Sequence, residues 1–203
     1  MKRGPLLLLM LLTAFQALAC VAGEGELRVR NRTAGDIWVS VDNSEPRRIS
    51  GWSNWSLFYR ENRVLNVSYI GNYVLSNSVE QTVRPGLVTT TEVLPSGGAI
   101  ALTNDSQQAI IEVYISPSEE QDWGPNDLAG SLGPGQSTLW SVTEGVWDLK
   151  LVDGDYREYF HYRIEVTVNQ TQSLNLSGFS KSADAPQSKK TQTEGSDNPP
   201  QNE

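Results

Sequence analysis

The feature that most constrains the fold of this chain is an alternation of apolar and polar residues that begins at Gly25. Short runs of Val, Ile, Leu, Tyr and Trp alternate with polar residues, and Gly, Pro, Asn or Asp interrupts them about every eight to twelve residues. A period of two is typical of half-buried β-strands, and no long window has a helical period. The pattern therefore predicts an all-β fold, built as an antiparallel β-sandwich.

The alternating pattern occurs twice along the chain. We expect two tandem antiparallel β-sandwich repeats, over residues 25–97 and 98–178, with insertions in the second. The matched segments are Gly25–Asn31 with Gly98–Asn104, Ile37–Val41 with Ile111–Ile115, Leu65–Tyr69 with Trp147–Leu151, and Val79–Val83 with Ile164–Val168.

Strand alternation also sorts the apolar residues into two predicted cores, one for each repeat. The first core is predicted from Leu27, Val29, Ile37, Val39, Val41, Trp55, Leu57, Leu65, Val67 and Tyr69. The second is predicted from Ile100, Leu102, Ile111, Val113, Ile115, Trp140, Trp147, Leu149 and Leu151.

The first 19 residues have the layout of a secretory signal peptide. A basic start is followed by the apolar run Leu6–Leu12, and Ala17-Leu18-Ala19 directly precedes Cys20. This ending resembles the lipobox of bacterial lipoproteins, in which the cysteine receives diacylglycerol and becomes the new N-terminus. The resemblance implies a lipid on Cys20, a short linker over residues 20–24, and a place in the bacterial cell envelope, at the outer membrane if there is one. Plain secretion remains the alternative, since Ala-x-Ala is also an ordinary cleavage signal.

Composition narrows the remaining functions. The chain has one Cys and one His, which leaves little for a thiol nucleophile, a disulfide framework or a histidine-ligated metal. A net charge of −8 argues against a nucleic-acid partner. His161 lies in an ordinary strand pattern with no marked catalytic partner. We therefore expect no cofactor and no enzymatic activity.

The second repeat resembles a module of unassigned function that recurs in secreted bacterial proteins, with strand signatures like those of immunoglobulin-like and prealbumin-like domains. The resemblance implies a sandwich fold rather than a chemistry. The segments that carry it are 116–118, Trp123-Gly124, 132–136 and 145–153.

Charge is shared unevenly between the repeats. Residues 25–97 hold 8 Arg and 7 acids, whereas residues 98–178 hold 3 basic residues and 12 acids. Three alternating arginines of the first repeat are predicted to leave one face of a strand. The arginines either form a solvated surface in contact with the acidic repeat, or bind an anionic glycan, a lipid headgroup or an acidic envelope protein. The candidates are Arg28, Arg30, Arg32, Arg47 and Arg48.

Three tryptophans fall outside the predicted cores, namely Trp38, Trp52 and Trp123. Exposed tryptophans line many sugar-binding surfaces, and arginine packs favourably over their rings. A carbohydrate-binding module is therefore the alternative to a general binding or structural module.

Two acidic stretches of the second repeat are weak candidates for calcium. Asp122 and Asp127 lie in one loop, and Asp153 and Asp155 flank Gly154. Hard cations prefer such oxygen cages, but Asp-Gly is also the ordinary composition of a tight hairpin turn, and we favour the turn.

Two further patterns are the Asn-x-Ser/Thr triplets and the polar composition of the C-terminal segment. Asn-x-Ser/Thr triplets begin at Asn31, Asn54, Asn66, Asn104, Asn169 and Asn175, which a eukaryotic secreted protein would offer for glycosylation. After Gly178 the composition becomes polar, which predicts a disordered tail over residues 179–203. The hypothesis that follows is a lipid-anchored, non-catalytic binding or structural module of the cell envelope.

Overall fold

The computed structural model describes residues 23–181 and confirms an all-β architecture of two tandem sandwiches. The predicted signal peptide, Cys20 and residues 182–203 lie outside the described residues. The described chain contains one short 3-10 helix, Leu176–Gly178, and no helix within it is long and apolar enough to cross a membrane. The strands of the first repeat are β1 Gly25–Asn31, β2 Ile37–Val41, β3 Arg47–Ile49, β4 Asn54–Tyr59, β5 Arg63–Gly71, β6 Val74–Val83 and β7 Val88–Val93. Those of the second are β8 Gly98–Thr103, β9 Ile110–Pro117, β10 Ser137–Val142, β11 Gly145–Asp153, β12 Glu158–Val166, β13 Thr171–Asn175 and β14 Ser180–Lys181.

Each repeat packs a three-stranded sheet against a four-stranded sheet. The three-stranded sheets have the orders β4-β1-β7 and β10-β8-β13, and the four-stranded sheets have the orders β3-β2-β5-β6 and β14-β12-β11-β9. Pairing is antiparallel except for β1 with β7 and β8 with β13, which are parallel. The fourth strand lies on opposite edges of the equivalent sheets, because β3 adds to β2 whereas β14 adds to β12.

The two hydrophobic cores follow the predicted alternation closely. Every residue predicted for the first core is buried or packs against that core. In the second core, Ile110 is fully buried where Ile111 was predicted. A β-bulge between β9 and β11 shifts the register at this point, because Val152 faces Glu112 while Asp153 faces Ile110. The bulge inserts one residue and turns Ile111 away from the core.

A buried asparagine closes the same loop in both repeats. The Asn31 side-chain amide donates to the carbonyls of Gly35, Ile49 and Ser50, and its oxygen accepts from the backbone N–H and hydroxyl of Thr33. Asn104 makes the corresponding contacts with Ser106, Gln108 and Leu132. Both asparagines are almost fully buried, so these two triplets serve the fold and are closed to glycosylation.

The second repeat extends three residues beyond the predicted boundary at Gly178. Phe179 is buried in the second core and packs edge-on against His161, with 5.1 Å between the ring centroids. Ser180 and Lys181 then pair with Phe160 and Tyr159. The tail predicted to begin at 179 was therefore placed too early, because Phe179 packs into the core and the next two residues pair with β12.

The two repeats meet at a short, buried junction. Gly97 and Gly98 are buried, and a Cβ on Gly97 would collide with the carbonyl oxygen of Val142. Across the junction Asn169 Oδ1 accepts from the Ala34 N–H at 2.8 Å, and the Tyr73 and Thr171 hydroxyls lie 2.8 Å apart. The Ser141 hydroxyl donates to the carbonyls of Gly71 and Asn72. The repeats are therefore docked through neutral polar contacts.

Side chains accept hydrogen bonds from backbone N–H groups on one edge strand of each four-stranded sheet. In the second repeat, Asn126 and Asp127 accept from the N–H groups of Val113 and Ile115 on the edge strand β9. In the first repeat, the edge strand β6 has its Leu75 N–H bonded to Ser96 Oγ and its Ser78 N–H to Asn77 Oδ1. Both edges are therefore partly covered.

Candidate functional site

The outward surface of the β4-β1-β7 sheet gathers three of the predicted site residues. Leu27 and Val29 point into the core, so Arg28 and Arg30 leave the opposite face of β1. Arg32 continues the column, since its guanidinium reaches Glu92 of β7. We call this surface, with its column of Arg28, Arg30 and Arg32, the arginine face. The predicted alternation of the three arginines on one face is therefore observed.

Two glutamates of the same sheet hold the arginines in place. Glu26 accepts from Arg28 Nε at 2.8 Å and Nη2 at 2.9 Å, and from the Ser56 hydroxyl at 2.6 Å. Glu92 lies 2.8 Å from Arg32 Nη2 and 3.6 Å from Arg30 Nη1. Hydrogen bonds from Arg28 and then Ser56 lower the pKa of Glu26, and the bond from Arg32 lowers the pKa of Glu92.

These ion pairs correct the expectation that the arginines contact the acidic repeat. The acids that Arg28, Arg30 and Arg32 reach within residues 23–181 belong to their own repeat. Arg48 likewise pairs with Asp36 of its own repeat, and Arg60 pairs with Glu24, the residue just before β1. The physical reason is proximity, since cross-strand and local acids lie within hydrogen-bonding reach while the junction is formed by neutral groups. The charge difference between the repeats therefore does not hold them together.

The second repeat provides an internal comparison for the arginine face. By strand register, the row Ser56–Arg28–Thr90 corresponds to Leu139–Ala101–Ser173. The row Asn54–Arg30–Glu92 corresponds to Ser137–Thr103–Asn175. The same scaffold thus forms without arginine or glutamate at these positions. The charged column is a property of the first repeat and is not needed by the fold.

Trp52 lies at the junction end of this sheet, in a backbone conformation that favours glycine. It is the third residue of a turn in which the Ser53 N–H bonds to the Ser50 carbonyl, and its φ is +60°. The corresponding turn of the second repeat bonds Gln136 N–H to the Gly133 carbonyl and carries Gly135, with φ +74°, at that position. A bulky residue in the left-handed region is unfavourable by about 1–2 kcal/mol. Two thirds of the Trp52 surface is nevertheless exposed.

Other predicted site residues lie elsewhere. Trp38 leaves the outer face of the four-stranded sheet, paired in register with Arg48 on one side and Ile70 on the other. Arg47 lies over the ring of Trp55, with 5.2 Å between the guanidinium carbon and the ring centroid. Trp38 and Arg48 therefore lie on the face opposite the arginine face, whereas Arg47, paired in register with the buried Val39, packs on the core-facing Trp55.

Trp123 is a packing residue of the second repeat. Its ring centroid lies 5.9 Å from Phe160 and 6.3 Å from Tyr162, which stack on each other across the outer face of β12. These contacts fasten the loop between β9 and β10 to the sheet. Among the predicted binding tryptophans, Trp123 therefore belongs to the fold.

The four weak calcium candidates do not converge into one cage. Asp127 Oδ2 accepts from the Ile115 N–H, and the Asp122 carbonyl accepts from the Ser116 hydroxyl. Asp153 is buried, and its carboxylate accepts from the Asp155 and Arg157 N–H groups and the Tyr159 hydroxyl. Within residues 23–181 no group of three or more His, Cys, Asp or Glu residues is placed to hold a metal ion. Asp153 and Asp155 therefore form the hairpin turn between β11 and β12.

Comparison with known proteins gives distant structural similarity only. No protein-family model matches the chain, and no curated protein matches it. Similar solved structures include a candidate adhesin from Bacteroides ovatus, with TM-score 0.37, 10% identity, and coverage of 75% of this chain and 86% of that one.

Two other solved structures are similar at a lower score. A DUF3823 family protein from Bacteroides ovatus has TM-score 0.28 and 12% identity, over 69% of this chain and 97% of its own. The Bacillus anthracis TIE protein has TM-score 0.29 and 13% identity over 75% of this chain, which spans 33% of that protein. At these scores, inference about function rests on the geometry of this chain alone.

Proposed function

We propose that the protein is a lipid-anchored module of the bacterial cell envelope that binds a partner without catalysis, through the arginine face and Trp52. The observation that carries the proposal is the difference between the two repeats. The second repeat carries Ala101 and Thr103 where the first carries Arg28 and Arg30, and Gly135 where the first carries the strained, exposed Trp52. Strain that the fold does not require is typical of functional positions.

The chemistry of the surface favours an anionic partner. The two glutamates order the guanidinium groups but use only part of their N–H donors. Three arginines against two glutamates leave one net positive charge on this face of an otherwise acidic protein. Ordered guanidinium groups bind carboxylate, sulfate and phosphate in a planar geometry.

The test compares two triple variants of equal charge. Arg28→Ser/Arg30→Ser/Arg32→Ser removes the column, while Arg48→Ser/Arg60→Ser/Arg84→Ser removes three arginines elsewhere in the first repeat. We expect the first variant to lose binding to a panel of acidic glycans and solubilised envelope proteins, and the control to retain it. Binding should weaken steeply with salt, because the charges are exposed. Equal binding by both variants would contradict the proposal.

Trp52 can be tested separately. Trp52→Gly restores the residue type of the second repeat, whereas Trp52→Ala removes the indole but keeps the unfavourable conformation. We expect both variants to bind the same partner more weakly, while Trp52→Gly unfolds at a higher temperature than Trp52→Ala. The reverse order of melting temperatures would show that the turn carries no strain.

A carbohydrate-binding surface around Trp38 is the second candidate. The observation in its favour is that Trp38 is 39% exposed on an outer sheet face, beside Ile70 at 51%. Such a face suits stacking against a sugar ring. Trp38→Ala should then abolish binding to neutral oligosaccharides on a glycan array, with the arginine-column variant as the matched control.

Lipid attachment is tested by mass spectrometry of the mature N-terminus. The sequence ending Ala17-Leu18-Ala19-Cys20 supports diacylglycerol on Cys20, and the chain holds no other cysteine. Mass of a diacylglyceryl group on residue 20 is expected. A free thiol at Cys20, or cleavage at another bond, would contradict the anchor.

A further inference from the structure

Three large apolar side chains surround the start of β1, at the end of the first repeat opposite the junction. Glu26 is paired with Phe58 of β4 on one side and with Val88 of β7 on the other. Its N–H donates to the carbonyl of Leu87 at 2.9 Å. Phe58 is 61% exposed, and Leu87 and Val88 are each 56% exposed. We call these three residues the apolar end.

The polar residue in this row does not interrupt the apolar surface. The Glu26 carboxylate bonds to Arg28 and Ser56, which belong to the next row toward the junction, and only 14% of its side chain is exposed. In the second repeat the corresponding row is Ser141–Ala99–Thr171. There Ser141 and Thr171 contact the first repeat across the junction. The equivalent surface of the second repeat is therefore an interface, and clustered exposed apolar side chains mark an interaction surface.

The length of chain before β1 identifies what this surface meets. Cys20 precedes Gly25 by five residues, which span at most about 17 Å when fully extended. Acyl chains on Cys20 lie in the bilayer, so the start of β1 is held within that distance of the lipid attachment point. We infer that the apolar end, Phe58, Leu87 and Val88, inserts into the bilayer surface that holds the lipid. The inference rests on the proposed lipid anchor.

This contact gives the anchored repeat a defined orientation. The arginine column runs along β1 away from the apolar end, and Trp52 lies at the far end of the same sheet. A repeat that rests on Phe58, Leu87 and Val88 holds Trp52 away from the lipid. Since apolar burial drives the contact, it persists at high salt and on zwitterionic lipid, unlike contacts made by exposed arginines.

The experiment uses the lipidated protein in phosphatidylcholine vesicles. Acylation would block the thiol of the chain's only cysteine, so a cysteine introduced by Val88→Cys or, as control, Val146→Cys is labelled uniquely with an environment-sensitive fluorophore. We expect blue-shifted emission and quenching by brominated lipid at residue 88, with the label about 5–10 Å inside the interface. The label at residue 146, in the second repeat, should stay aqueous.

A second variant tests the patch itself. Phe58→Ser/Leu87→Ser should return the label at residue 88 to aqueous emission, while the protein still sediments with the vesicles. With Phe58 and Leu87 intact, aqueous emission at residue 88 in a protein that sediments with the vesicles would overturn the inference and leave the anchor intact. A protein that stays in the supernatant would contradict the anchor, and the inference with it.

Discussion

At the scale of single residues, the most consequential side chains are two asparagines. In sequence they cannot be told apart from the asparagines of the other four Asn-x-Ser/Thr triplets. Asn31 and Asn104 each link a loop to the end of a strand through a buried amide. We expect Asn31→Ala or Asn104→Ala to lower the free energy of unfolding by about 3 kcal/mol, because buried carbonyl and N–H groups lose their partners. Chemical denaturation measures the loss. The exposed Asn66 gives the control, with Asn66→Ala expected within about 0.5 kcal/mol of the wild type.

Asp153 makes the free energy of unfolding depend on pH in the acidic range. Burial alone would raise the pKa of Asp153, but hydrogen bonds from Arg157, Tyr159 and Asp155 outweigh burial and lower it below its ordinary value. The stabilisation is therefore complete above that value and is lost as pH falls through the lowered pKa of the folded state. We expect the free energy of unfolding of Asp153→Asn to fall less steeply below about pH 4 than that of the wild type. Parallel slopes in urea titrations would contradict this.

At the scale of elements, the short β14 and the residue before it decide where the folded chain ends. Removing residues 182–203 should leave the melting temperature within a degree or two, since their composition offers no core residue. Removing residues 179–203 also deletes buried Phe179 and β14, and should lower the melting temperature by about 10 °C. Calorimetry of the two truncations decides between them. Equal melting temperatures would show that Phe179 contributes nothing.

The alternation of apolar and polar residues predicted the strands and both cores, but it could not show where a β-bulge interrupts the period of two. Ile111 was assigned to the core because a bulge in β9 is invisible to a pattern of period two. The match of Val79–Val83 with Ile164–Val168 is two residues out, since Val83 faces Arg63 as Val166 faces Gly145.

The surface proposed for binding was harder to predict than the fold. Three alternating arginines indicated one face correctly, but sheet order decides that Trp38 and Arg48 lie on the opposite face. The unusual position of Trp52 could have been noticed in the sequence, because the Ser50–Ser53 turn corresponds to a Gly-rich turn in the second repeat. The sequence also could not show that Phe58 and Val88 lie on either side of Glu26, because this requires the strand register.

At the scale of the whole molecule, the junction makes the repeats one unit without help from charge. We expect Arg28→Ser/Arg30→Ser/Arg32→Ser to leave the radius of gyration unchanged, because these arginines pair within the first repeat. Tyr73→Phe/Ser141→Ala/Asn169→Gly removes the polar side-chain contacts across the junction and should increase the radius. Small-angle scattering compares the three proteins. Expansion of the arginine variant alone would contradict this account of the junction.

The partly covered edges at β9 and β6 have their greatest consequence for a protein held on a membrane by the proposed lipid anchor. Molecules tethered to a plane meet their neighbours far more often than the same number dispersed in a volume, and open strand edges tend to zip together. Asn126 and Asp127 occupy the backbone donors of β9, and Ser96 and Asn77 occupy donors of β6. Copies that crowd side by side on the proposed membrane therefore meet donors that are already bonded at these positions of β9 and β6, which disfavours strand pairing between neighbours there.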